Sequence, residues 1–73
     1  GDAYWIREHR AAGGDIPIDP EPEVRVLMVV SGTATIDGDE SRPGTTVVLP
    51  AAIVPDTPVA ADAGAVILEI GLT

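Results

Sequence analysis

Between Val24 and Val30, five consecutive positions, Val26, Leu27, Met28, Val29 and Val30, are apolar, so a strand there has no polar face and needs cover on both sides. One side can face the interior of a sandwich or barrel. The other then requires a second sheet, a neighbouring domain or a symmetry mate, which makes Val26, Leu27, Met28, Val29 and Val30 the candidate interface. Elsewhere apolar and polar residues alternate in short runs. Tyr4 to His9 predicts a first strand with Tyr4, Ile6 and Glu8 on one face and Trp5, Arg7 and His9 on the other. Gly32 ends the apolar run, Thr33 to Ile36 resumes it, and Asp37-Gly38 is the dipeptide of a tight type I′ hairpin that returns along Asp39 to Arg42. After a turn at Pro43-Gly44, Thr45 to Leu49 predicts a strand stopped by Pro50. Val59 and Ala60 form a short strand, Asp62-Ala63-Gly64 a turn, and Ala65 to Ile70 the closing strand.

Two stretches interrupt this rhythm. Ala11 to Pro22 carries Pro17, Pro20 and Pro22 and reads as a long surface loop, with room for an extended edge segment around Ile16 to Ile18, because proline supplies no ladder donor. Ala51 to Pro58 reads as irregular, framed by Pro55 and Pro58. No segment calls for a helix. Strands recurring every 8 to 12 residues or so predict an all-β chain, a small antiparallel β-sandwich or barrel.

Seventy-three residues make one domain, spanning 1–73, and a domain of this size buries only about 60% of the surface its unfolded chain exposes. The chain has no cysteine, so neither a disulfide nor a thiolate metal site can reinforce so small a core, and association with a partner is the remaining remedy. The net charge is −8, with four arginines and no lysine, a balance that repels phosphate backbones and anionic lipid surfaces. Nucleic acid and membrane are therefore not expected as partners. No apolar run approaches the roughly 20 residues that cross a bilayer, and no basic segment followed by an apolar one marks a secretory signal. The expectation is a soluble protein, and the missing cysteines fit a cytoplasmic one.

Composition also narrows the chemistry. Without Cys, Lys, Asn or Gln there is no thiol nucleophile, no Schiff-base lysine and no side-chain amide for an oxyanion. Ser31 and Ser41 sit at a strand end and near a turn, where turn and cap roles account for them. His9, between Arg7 and Arg10, reads as an exposed residue in a small arginine-rich patch, and a single histidine cannot build a multi-histidine zinc site. Asp37, Asp39 and Glu40 belong to the hairpin rather than to a calcium loop, since the 12-residue pattern with its distal glutamate is missing. Asp15, Asp19, Glu21 and Glu23 read as a solvated acidic loop held extended by its prolines. No residue is assigned a catalytic or metal-binding role. Trp5, Arg7 and Arg25 are the candidate ligand-binding residues: an indole and nearby guanidinium groups can take a sugar or sugar phosphate by stacking and bidentate hydrogen bonds. The competing reading is a tryptophan at an interface and arginines balancing an acidic surface.

The order Tyr4-Trp-Ile-Arg7, a spacer, Val26-Leu-Met-Val-Val-Ser-Gly32, a hairpin, Gly44-Thr-Thr-Val-Val-Leu-Pro50-Ala51 and Ala65-Val-Ile-Leu-Glu-Ile70 resembles the C-terminal cupin-like region of type I mannose-6-phosphate isomerases. The likeness runs from about Tyr4 to Ile70 and is anchored by Gly32, Gly44, Pro50 and Ala51. It implies a cupin-like jelly-roll barrel belonging to zinc-dependent enzymes that interconvert mannose 6-phosphate and fructose 6-phosphate. In that family the zinc and the catalytic arginine belong to an upstream part of the chain, so no cofactor is expected here. Matched to the cupin pattern, one histidine cluster would fall around Asp19 to Arg25, where there is no histidine, and the second at Pro55. The resemblance thus implies a non-catalytic module, a fragment of a longer protein, packed against a catalytic domain of the same polypeptide or against a homodimer mate. The alternative is a free-standing, metal-free cupin that binds a small sugar-like ligand.

Overall fold

The computed structural model describes residues 4–72. Eight strands follow one another as β1 (Tyr4–Arg10), β2 (Gly14–Asp15), β3 (Arg25–Ser31), β4 (Ala34–Ile36), β5 (Asp39–Ser41), β6 (Thr46–Leu49), β7 (Val59–Ala61) and β8 (Val66–Leu72), with a 3-10 helix at Ala51–Asp56 between β6 and β7. They form two four-stranded sheets, ordered β1-β8-β3-β6 and β2-β7-β4-β5, in which every recorded pair is antiparallel. The all-β expectation holds. No helix among the described residues is long and apolar enough to cross a membrane.

The core lies between the sheets. Leu27, Val29, Leu49 and Ile67 come from the first sheet, Ala34, Ile36, Val59 and Ala61 from the second, and Val54 and Ala65 join them from outside the strands. Each fully buried aliphatic side chain of Val, Leu or Ile size contributes about 1.5–3 kcal/mol by leaving water. Turn chemistry holds the register that puts these residues inward. Asp37 and Gly38 both have positive φ, 51° and 85°, the pair that a type I′ hairpin requires between β4 and β5. At the bulge where β3 slips against β8 between Val29 and Ser31, Gly32 turns at φ 75°. A Cβ on Gly32 would stand 2.6 Å from that of Ala65, so glycine is required there for space as well as conformation.

Three expectations need correction. Ala51–Asp56, expected to be irregular, forms the 3-10 helix, which accommodates Pro55, buries Val54 and is finished by Thr57, whose hydroxyl donates to the Ile53 carbonyl at 2.7 Å. The edge segment expected at Ile16 to Ile18 falls earlier, at Gly14–Asp15 opposite Ala60 and Ala61. Proline explains this: Ile16 donates one last bond to the Val59 carbonyl, and Pro17, without an N–H, ends the ladder. The run Val26 to Val30 divides between two environments instead of forming one interface. Leu27 and Val29 point into the core, whereas Val26 and Met28 are half-buried and Val30 is exposed on the outer face.

That outer face is apolar across all four strands. Ile6 lies opposite Ile70, Ile70 opposite Val26, and Val26 opposite Val48, giving one aliphatic row over the width of the sheet. The next row runs Glu8, Leu68, Met28, Thr46. Ile6 is 57% and Val48 62% exposed, values that leave this face without cover.

Candidate functional site

Opposite that aliphatic row, the inner face of the same sheet becomes polar at the end where β3 begins and β8 finishes. Side chains alternate along a strand, so Arg25 shares the inward face with Leu27 and Val29, and Glu69 with Ile67. Trp5, Arg7 and His9 occupy the same face of β1, opposite Gly71, Glu69 and Ile67 of β8. Five chemically active side chains therefore converge from three adjacent strands.

Arg25 and Glu69 are both fully buried, with Nη1 of the arginine 2.8 Å from Oε2 of the carboxylate. Such a pair is tolerated only when its remaining hydrogen-bonding capacity is also met. Glu69 accepts three bonds: from Arg25, from the backbone N–H of Asp19 at 2.9 Å, and from Nε2 of His9 at 2.7 Å on its other oxygen. Arg25 in turn donates Nη1 to the Asp19 carbonyl at 2.6 Å and Nη2 to the Glu21 carbonyl at 3.1 Å. Its Nε alone has no partner. The two side chains thus fasten the acidic segment, Asp19 to Glu21, across the end of the sandwich through its backbone. The loop expected to be freely solvated is tied to the sheet: Asp19 accepts from the Glu21 amide within the segment, and the Glu23 carboxylate stands 4.0 Å from Nη2 of Arg25.

Trp5 covers this network. Its ring centroid lies 5.0 Å from the Arg25 guanidinium carbon and 5.3 Å from that of Arg7, both within cation–π range. The indole lies over Gly71, where any Cβ would overlap Cε2 and Nε1 of the ring. Absence of a side chain on β8 is thus what lets the tryptophan lie flat against the sheet.

The structure brings together all three residues expected to bind a ligand, Trp5, Arg7 and Arg25. It also changes what they offer. Arg25 has spent both terminal nitrogens on Glu69 and on backbone carbonyls, so bidentate recognition by its Nη atoms would require the network to open. Arg7 is the exposed cation of the set. None of the three lines the groove of about 260 Å³ between Ile16–Ile18 and Pro55–Val59. His9 is corrected from an exposed member of an arginine patch to a largely covered side chain, 11% exposed, bonded to Glu69. Position on the inner face of β1 explains this, since Trp5, Arg7 and His9 share that face and the neighbouring strand supplies the carboxylate.

Glu69 is the residue that pattern reading passed over. A signal existed: a lone carboxylate in the aliphatic run Val66-Ile-Leu-Glu-Ile70, at an inward position, calls for a buried cation, and Arg25 is the inward cation on the adjacent strand. Among the described residues, no three His, Cys, Asp or Glu side chains gather into a group that could hold a metal ion. Pro55 lies in the 3-10 helix, and the Asp19 to Arg25 segment is the one fastened by Arg25 and Glu69. Searches of family models, of curated proteins and of solved structures found no match to this chain.

Proposed function

We propose that this chain is a non-catalytic, metal-free, cupin-like module whose work is packing and assembly, akin to the terminal module of type I mannose-6-phosphate isomerases. The two antiparallel four-stranded sheets, ordered 1-8-3-6 and 2-7-4-5, support the cupin-like jelly-roll reading. The observation that carries the assembly role is the uncovered aliphatic row Ile6, Ile70, Val26 and Val48. Contiguous apolar patches on that scale mark interaction surfaces in soluble proteins. The polar end of the inner face supports the non-catalytic part: Arg25, Glu69 and His9 bond one another and the backbone of the acidic segment, leaving Arg25 Nε as the buried side-chain atom among the described residues without a partner. A cytoplasmic setting accompanies this reading, consistent with a chain that uses no cysteine.

The second reading, a sugar-like ligand held by Trp5, Arg7 and Arg25, draws on the exposed Arg7 guanidinium beside the indole and on that unpartnered Nε. Trp5 is the single tryptophan and reports directly on it. Mannose 6-phosphate, fructose 6-phosphate and zinc, each titrated to millimolar concentration, are expected to leave Trp5 fluorescence unchanged apart from dilution. A saturable change with either sugar phosphate would replace packing with ligand binding as the role of this end of the sheet, and stoichiometric zinc would overturn the metal-free assignment.

A further inference from the structure

We infer that the occupant of the outer face of the β1-β8-β3-β6 sheet is a second copy of the same chain, packed sheet to sheet about a two-fold axis running along the strands. The inference rests on the assembly reading and names its partner. Charge is the first argument. The chain carries −8 overall, yet among the described residues the strand positions of this face hold one acidic side chain, Glu8, and it is paired with Arg10 at 2.6 Å. Two copies therefore meet here without the like-charge repulsion that opposes their approach through the acidic remainder of the surface.

Register is the second argument. A two-fold axis along the strands keeps each cross-strand row facing itself in reverse order, so β1 of one copy lies over β6 of the other. Ile6 then faces Val48 and Ile70 faces Val26 across the contact, and in the next row Leu68 faces Met28. Glu8, at the rim, faces the Thr46 hydroxyl, a donor that a carboxylate can use. Within these two rows every apolar position opposes another, as a self-complementary contact requires, and sheets stacked this way cross at about −30°.

Area is the third argument. Four strands about 4.8 Å apart, most of them seven residues long at about 3.3 Å each, give a footprint of roughly 400 Å² per copy. That is about a tenth of the 4242 Å² the chain exposes, the share a small protein commits to a specific contact. Side-chain relief brings the pair to the lower bound of specific interfaces, on the order of 1,000 Å² in total, which predicts a reversible dimer that dissociates on dilution.

Sedimentation velocity over a wide concentration range is the test. The wild-type chain is expected to pass from monomer to dimer with a dissociation constant on the order of micromolar. Val48→Glu and Val48→Lys should each weaken the dimer at least about tenfold, the two signs separating lost apolar burial from added repulsion. Thr35→Glu, on the other sheet, should leave it unchanged. A double variant, Ile6→Cys with Val48→Cys, reads the geometry. The two positions lie three strand spacings apart within one chain, about 14 Å, too far for an internal disulfide, so oxidation should yield a covalent dimer. A dimer indifferent to Val48→Glu, or a double-cysteine chain that stays monomeric on oxidation, overturns the inference. A monomeric wild type overturns it too, and an apolar dye then separates the two failures. Dye binding abolished by Val48→Glu keeps the assembly role with a different partner, whereas no dye binding removes the assembly role as well.

Discussion

At one end of the β1-β8-β3-β6 sheet, charged residues stand on the inner face and aliphatic residues on the outer, over the same span of backbone. Inward from the first cross-strand row stand Trp5, Gly71 and Arg25, and outward from the positions beside them stand Ile6, Ile70 and Val26. The inner side is closed: Glu69 and Arg25 are wholly buried and share a set of hydrogen bonds that reaches the backbone of the Asp19 to Glu21 segment. The outer side is open and has little to offer except area. Burial and function have separated here. The polar face holds the fold's end shut and is sensitive to any deletion, whereas the apolar face adds little to the stability of one copy and is free to serve a contact.

Deleting half of the buried ion pair should give the largest effect. Glu69→Ala leaves Arg25 buried without the carboxylate it bonds, with only the more distant, partly exposed Glu23 nearby, which costs about 3–5 kcal/mol and, in a chain this small, is expected to abolish the cooperative thermal transition followed by circular dichroism. Arg25→Met combined with Glu69→Leu should recover part of that loss, because no uncompensated charge remains. If Glu69→Ala unfolds like the wild type, the inner network is not what closes the end of the sandwich.

Gly71→Ala should come next. The methyl group overlaps the Trp5 ring, so the indole must leave Arg25. A loss of about 1–3 kcal/mol is expected in urea denaturation, with a shift of Trp5 emission as the ring changes surroundings. An unshifted spectrum would show that the indole does not lie against β8.

The smallest effect is expected outside. Ile6→Thr keeps a β-branched side chain on an exposed strand position and should change the stability of the isolated copy by no more than about 0.5 kcal/mol, measured at concentrations too low for association. A loss as large as that of Gly71→Ala would mean that the outer face contributes to the fold of a single copy, and the contrast between the two sides would disappear.

Most of the strand framework could be read in advance because it depends on local rules. Alternation located β1 and its two faces, Asp37-Gly38 located the β4–β5 hairpin, and Gly44 and Pro50 bracketed β6. The 3-10 helix escaped because its stretch has no periodicity, only prolines that a short helix of this type admits. The polar cluster was legible in part. Trp5, Arg7 and His9 could be assigned to one face of one strand, but their partner sits sixty residues from His9, and pairing of β1 with β8 is a long-range property that no local pattern encodes. The same holds for the outer row. The unbroken run Val26 to Val30 announced an uncovered side, but which of its members would be core depended on which way the strand was turned, and Arg25, as an inward residue, set that choice.

The pairing of the first strand with the last has a consequence for architecture. Tyr4 stands opposite Leu72, so both ends of the described chain emerge side by side at one corner of the sandwich. A polypeptide carrying this unit as an insert would enter and leave through a single doorway, and its own backbone would need to be parted by little more than one strand spacing. The unit can be threaded into a surface loop of a host, or its ends joined and new ones cut at the Asp37-Gly38 tip, without asking either sheet to move.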